Sequence, residues 1–222
     1  NQTPATLYRG AAVTLSATTN RTGDITWKSS DAKVATVDAK GTVTAVNAGR
    51  ATITAALGKV SATFTVTVKN PSITAKADSS VIYTKSKTTT KINVAKDGVT
   101  GNATFRSSNK KVATVSANGI VKAKKAGKVN ITVQVGNHKQ VVKITVKKPT
   151  MKLTKASAKL KKGKKVTIKV KAAPVSKVTF KSSNKKVATV SSKGVVKAKK
   201  KGTATITVKC NGITKKFKVT VK

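Results

Sequence analysis

Glutamate is missing from this 222-residue chain, and aspartate occurs only five times, at Asp24, Asp31, Asp38, Asp78 and Asp97. Paired carboxylates for glycoside chemistry are therefore absent. A Ca²⁺ site, which draws on several oxygen ligands and usually on carboxylates, has none to use in residues 149–222. Histidine and cysteine occur once each, as His138 and Cys210. No intrachain disulfide can form, and no His or Cys cluster is available for a metal or a nucleophile–base pair. The expectation is a protein that is not an enzyme, with no catalytic residues, no cofactor and no metal site. His138 reads as an exposed turn residue. Cys210 reads as a small buried hydrophobe, because its counterpart one repeat earlier is Val135. No apolar run approaches the ~20 residues that span a bilayer, so no membrane insertion is expected. No signal peptide is visible at Asn1-Gln2-Thr3, which reads as the start of a mature or excised segment.

What the chain has in excess is positive charge. Lysine and arginine total 47, giving a formal net charge of +42. Residues 1–70 carry 8 basic and 3 acidic residues, residues 71–148 carry 16 and 2, and residues 149–222 carry 23 and none. The net charge thus climbs from +5 through +14 to +23. High charge can signal disorder, but here apolar residues alternate regularly and turn residues recur at fixed places.

The recurrence is a threefold internal repeat, which decides the architecture before any other feature. Its last copy runs Phe180-Lys181-Ser182-Ser183-Asn184, then Val187-Ala188-Thr189-Val190, then Gly194. The middle copy has Phe105, Ser107-Ser108-Asn109, Val112-Ala113-Thr114-Val115 and Gly119; the first has Trp27, Ser29-Ser30-Asp31, Val34-Ala35-Thr36-Val37 and Gly41. Around these, Val13, Leu15 and Ala17 alternate with Thr14 and Ser16, and Ala204, Ile206 and Val208 alternate with Thr205, Thr207 and Lys209. A period of two is the mark of half-buried strands. About seven short strands per unit, with turns every 8–12 residues, predict an all-β chain of three tandem immunoglobulin-like antiparallel β-sandwich domains, at 1–70, 71–148 and 149–222. Joints of a few residues, each with a proline, predict limited bending between them. Trp27, Phe105 and Phe180 recur at one strand position in an apolar pattern and read as core rather than ligand platforms.

These motifs resemble the bacterial immunoglobulin-like domain of group 2. The resemblance rests on the aromatic, the Ser-Ser-Asn/Asp turn, Val-Ala-Thr-Val, the glycine turn and a Val-x-Ala strand. It ends on Gly49-Arg50-Ala51-Thr52-Ile53, Gly127-Lys128-Val129-Asn130-Ile131 and Gly202-Thr203-Ala204-Thr205-Ile206. It implies an extracellular or bacterial cell-surface protein with cell-adhesion or structural duties. Such domains also serve as spacers and enzyme appendages, so a carbohydrate-binding or spacer appendage of a secreted enzyme is the alternative.

The functional signal lies in residues that change between copies. Thr44, Val46 and Asn47 become Lys122, Lys124 and Lys125, then Lys197, Lys199 and Lys200, with Lys201 following. Ala32-Lys33 becomes Lys110-Lys111 and Lys185-Lys186, and Tyr8 to Ala12 becomes Lys161-Lys162-Gly163-Lys164-Lys165. Neutral residues serve the fold at many of these places, and like charges within a Debye length of ~8 Å repel. The expected partner is an anionic cell-wall polymer or an acidic glycan, and a host surface ligand is the other candidate. Lysine outnumbers arginine 43 to 4. That favours diffuse attraction over bidentate readout, so no specific nucleic acid is expected.

Overall fold

The computed structural model describes residues 5–222. Among them there is no helix, and all regular structure is β-strand. The first repeat contributes β1 (Ala5–Tyr8), β2 (Ala12–Thr14), β3 (Thr26–Ser29), β4 (Ala35–Val37), β5 (Thr42–Ala45), β6 (Gly49–Leu57) and β7 (Val60–Lys69). The second contributes β8 (Ser72–Ala77), β9 (Val81–Tyr83), β10 (Thr89–Asp97), β11 (Thr104–Ser107), β12 (Ala113–Val115), β13 (Ile120–Ala123), β14 (Gly127–Val135) and β15 (His138–Lys147). The third contributes β16 (Thr150–Leu153), β17 (Ser157–Leu160), β18 (Lys165–Thr167), β19 (Val170–Ala173), β20 (Thr179–Ser182), β21 (Ala188–Val190), β22 (Val195–Ala198), β23 (Gly202–Cys210) and β24 (Ile213–Val221).

Every sheet draws its strands from a single repeat. The orders are β1-β7-β6-β3 with β2-β5-β4, then β11-β14-β15-β9 with β12-β13-β10-β8, then β17-β24-β23-β20 with β18-β22-β21 and β16-β19. One parallel pair interrupts the antiparallel pattern in each repeat: β1 with β7, β9 with β15, β17 with β24. In the second and third repeats the opening strand first joins one sheet, as β8 or β16, and then crosses to the other. The crossing is too short to reverse direction, so the strand that follows lies parallel to the last strand of its repeat. This switch adds strands beyond the seven expected, and it leaves a cleft where the chain leaves one sheet for the other.

Alternation builds the core. Ala204, Ile206, Val208 and Cys210 on β23 share one buried face of the sheet with Phe217, Val219 and Val221 on the neighbouring β24, while Thr203, Lys209, Lys216 and Lys218 are exposed. Cys210 is a free, buried thiol within that cluster. The first repeat repeats the scheme with Val43, Ile53 and Val66, each fully buried.

Each residue of the repeated stretch has a structural task. The second serine accepts the strand amide opposite: Thr52, Asn130 and Thr205 N–H donate to Ser30, Ser108 and Ser183 Oγ at 2.9, 3.0 and 2.9 Å. The first serine, buried in the second and third copies, donates from Ser107 and Ser182 Oγ to Ala113 and Ala188 O, both at 2.7 Å. The third residue closes the turn, accepting from Lys33, Lys111 and Lys186 N–H on Asp31, Asn109 and Asn184 side chains. Gly41, Gly119 and Gly194 take φ of +80°, +74° and +78°, and the rings of Trp27, Phe105 and Phe180 lie where a Cβ would stand. Two constraints therefore demand glycine there: left-handed backbone and the space its missing side chain leaves for the ring.

The aromatic rings are no exception to the core reading: Trp27 and Phe180 pack against the core clusters, half-buried over the glycine turn. Several expectations are corrected. The strand expected over Ala11–Ala17 is short, ending at Thr14, although Leu15 and Ala17 keep the inward alternation. Val166, Ile168 and Val170, whose alternation with Thr167 and Lys169 predicts one strand, are divided between β18 and β19, because the chain changes partner from β22 to β16. His138 is the half-buried first residue of β15 rather than an exposed turn residue. The turn into the first strand was expected at Thr3-Pro4, outside the described residues.

By packing, the described residues form two compact units. One comprises the residues up to Thr74 with Val94–Asn102 and Val135–His138; the other comprises Ala75–Asn93, Ala103–Gln134 and Lys139–Lys222. In the first unit Tyr8 Oη donates to Asp97 Oδ1, its ring lies on Gly98, and Asp97 raises the phenol above its ordinary pKa. In the second unit the Lys85 stem lies 3.1 Å from where a Cβ on Gly212 would stand.

Candidate polyanion-binding surface

Three lysine-bearing turns of the third repeat meet at one end of the sheet β18-β22-β21. Lys161, Lys162 and Lys164 occupy the turn between β17 and β18, and Lys165 opens β18. Lys185 and Lys186 lie in the turn before β21, Lys197 lies on β22, and Lys199, Lys200 and Lys201 lie in the turn after it. Backbone hydrogen bonds tie the turns together. Gly163 N–H donates to Ala198 O at 2.9 Å, Ala198 N–H to Lys164 O at 3.0 Å, and Lys199 N–H to Val187 O at 2.8 Å. Residues scattered over 41 positions of sequence thus form one exposed basic surface. Their placement is set by backbone, so it does not depend on the long side chains adopting one rotamer.

The register sharpens the picture. Lys165 lies directly opposite Lys197 on adjacent antiparallel strands, where Cα atoms sit roughly 4.5–5.5 Å apart. Like charges directly opposed destabilise a sheet, and residues 149–222 hold no acid to offset them. The same rung is Thr89 opposite Lys122 in the second repeat and Ala12 opposite Thr44 in the first. A second opposed pair, Lys152 with Lys171, joins β16 to β19. The four-stranded sheet avoids such pairs: Lys209 opposes Thr179 and Thr214, Lys216 opposes Thr207, and Lys218 opposes Ser157 and Thr205.

The second repeat holds a sparser version. Lys110 and Lys111 occupy the turn before β12, Lys122 lies on β13, and Lys124 and Lys125 follow it, all exposed. Lys124 and Lys125 N–H both donate to Val112 O, at 2.8 and 3.1 Å. Sequence reasoning passed over Lys85 and Lys87, which lie in the loop that takes the place of Lys161–Lys165; Ala123 N–H donates to Thr88 O there. The available signal was the longer loop between Tyr83 and Ile92, in which Ser86 and Lys87 adopt positive φ. Lys152 and Lys171 were also passed over, because cross-strand opposition depends on register. In the first repeat the equivalent turns hold only Arg9 and Lys33 with Asp31 beside them, and a further carboxylate closes the glycine turn at the other end of β4 and β5. Asp38 accepts Lys40 and Thr42 N–H at 2.9 and 2.8 Å, and the Thr42 amide foremost holds its carboxyl below the ordinary value. Ser116 and Ser191 Oγ take that role in the other copies, accepting Ile120 and Val195 N–H. Among the described residues no three His, Cys, Asp or Glu side chains are grouped to hold a metal ion.

The family model described as bacterial Ig-like domain (group 2) matches residues 1–68 and 148–221, and a model described as bacterial Ig-like domain matches residues 101–148. The chain belongs to the group 2 bacterial Ig-like domain family. Group 2 Ig-like domains are non-catalytic accessory modules, and a run of them is a surface or spacer segment. The chain is 47% identical over 76 residues to a kappa-carrageenase of Pseudoalteromonas carrageenovora, covering 32% of this chain and 19% of that protein. It is 33% identical over 138 residues to ice-binding protein 1 of Shewanella frigidimarina (strain NCIMB 400), covering 56% of this chain and 16% of that protein. The matched regions are thus under a fifth of the length of either relative. Among solved structures, domains 1–6 of the surface layer protein SbsC align at TM-score 0.41 and 19% identity, over 97% of this chain and 39% of that one.

Proposed function

We propose that this chain is a non-enzymatic segment of a bacterial cell-surface or adhesion protein, three Ig-like domains at 1–70, 71–148 and 149–222. Its lysine-rich C-terminal domains contact an anionic polymer, either cell wall or acidic glycan. The observation that carries this reading is the opposed pair Lys165–Lys197 at the meeting point of three lysine turns, in a repeat without acids. An arrangement that opposes folding and is absent from the equivalent rung of the first repeat calls for a compensating partner. Lysine ammonium groups act as point charges, so the attraction is salt-sensitive and tolerant of polymer sequence. The test is retention of the chain on purified cell wall, with and without its anionic polymer, across a salt series. Retention that needs the polymer and falls steeply with salt supports the reading; retention that persists in high salt overturns it.

The match to a kappa-carrageenase favours a second reading, a spacer or carbohydrate-binding appendage of a secreted enzyme. Salt-resistant binding to an uncharged polysaccharide would select it.

A further inference from the structure

We propose that the cleft where the third repeat switches sheets is a binding site for an acidic sugar unit, distinct from the lysine turns. The cleft measures about 290 Å³, near the lower end of the roughly 300–1,000 Å³ typical of small-molecule sites. Met151 and Leu153 form an apolar floor, and Lys152, Lys155, Lys215 and Lys216 line the rest. Three features point to a ligand with both an apolar face and negative charge.

First, Lys215 lies on the core side of β24. It is directly opposite buried Val208, and on its own strand it shares that side with buried Phe217 and Val219, yet it is exposed because the cleft opens there. A cation at a core-facing position has no role in packing. Second, the same position in the second repeat is Gln140, whose Oε1 accepts the Ala75 amide and so ties the last strand to the first. An ammonium group cannot accept that bond, so at this position the third repeat leaves its side chain free of the opening strand and available to a ligand. Third, the corresponding cleft of the second repeat has Asp78 beside Lys76 and Lys143, with Val141 half exposed. Its carboxylate would repel an anion, whereas the third repeat presents four cations and no acid. The opposed pair Lys152–Lys171 adds to the potential at the rim.

A pyranose ring offers an apolar C–H face to the Met151–Leu153 floor while its sulfate or carboxylate reaches the lysines. A glycerol-phosphate chain has the charge without the face. The site therefore takes an acidic polysaccharide rather than a phosphodiester polymer.

Met151 is the sole methionine of the chain, so ¹³C-methyl-methionine labelling places one NMR signal in the cleft floor. The whole chain carrying Lys165→Thr and Lys197→Thr would be titrated with a sulfated galactan oligosaccharide, its desulfated form and a glycerol-phosphate oligomer. The expected result is a saturable shift of the Met151 methyl with the sulfated sugar alone. Adding Lys155→Thr, Lys215→Gln and Lys216→Thr is expected to weaken it about tenfold or more, the equivalent of one charge-assisted hydrogen bond. Protection of the Cys210 thiol verifies that each variant is folded. An unmoved Met151 methyl while the unsubstituted chain still binds the polymer overturns the cleft and leaves the lysine-turn reading standing. An equal shift with the desulfated sugar overturns the role of the lysines, and an equal shift with the phosphate oligomer overturns the sugar.

Discussion

The first and third repeats are built on one plan and differ in what the plan displays. Both hold an aromatic ring over a left-handed glycine, the same serine-capped turn, and a core of small branched side chains on facing strands. On the rung where the third repeat sets Lys165 against Lys197, the first sets Ala12 against Thr44. Where the third repeat has Ser191 closing its glycine turn, the first has the charged Asp38. The shared positions are those whose replacement would strain backbone or empty the core. The differing ones point to solvent, where the fold accepts almost anything soluble. Charge of a single sign at those places is therefore informative in a way that the motif itself is not.

The largest expected effect concerns binding. Replacing Lys161, Lys162, Lys164, Lys165, Lys197, Lys199, Lys200 and Lys201 by threonine would make the third repeat resemble the first. If six or more of these contact the polymer, affinity in low salt is expected to fall by a factor on the order of 10³, and the slope of log K against log salt to flatten accordingly. Unchanged affinity would erase the functional distinction between the repeats.

Next come the glycines, which test the sameness of the two. Gly41→Ala and Gly194→Ala force a side chain against Trp27 or Phe180 in a left-handed backbone, and each is expected to destabilise its own repeat by about 1–3 kcal/mol. Trp27 is the only tryptophan and Cys210 the only cysteine, so tryptophan fluorescence follows the first repeat and thiol labelling the third. A loss at one glycine without a comparable loss at the other would break the structural half of the comparison.

A smaller effect tests the charge. Lys165→Thr removes a like-charge rung and is expected to stabilise the third repeat by roughly 0.2–1 kcal/mol. Added salt is expected to slow Cys210 labelling while hardly moving the Trp27 transition. Equal salt effects on both probes would mean that the lysines are already screened.

The smallest is a pH effect confined to the first repeat. The folded state lowers the Asp38 pKa, so its contribution is full above the ordinary aspartate value and is lost as pH falls through the lower folded value. Between about pH 5 and pH 2 the Trp27 transition is expected to weaken, and Asp38→Ser is expected to reduce that loss. An identical acid response in the serine variant would show that the backbone bonds to Asp38 contribute nothing.

Much of the fold was legible because its determinants are local. Period-two alternation, a serine-serine-asparagine turn and a glycine after it are each readable over a few residues, and three copies make chance agreement negligible. The switch of the opening strand was not legible, since β16 and β17 are close in sequence and only their pairing with different sheets separates them. The lysine turns were visible as substitutions between copies. Their convergence was not, because Lys161, Lys185 and Lys199 are brought together by hydrogen bonds between turns remote in sequence.

By itself, then, the sequence determined the family, the all-β class, the inward and outward faces and the gradient of charge, all of which follow from side-chain chemistry at short range. Tertiary structure alone decided which lysines oppose one another and that Lys215 faces a cleft rather than solvent at large. Register and sheet exchange settle those points, and both are set by long-range pairing that no local pattern encodes.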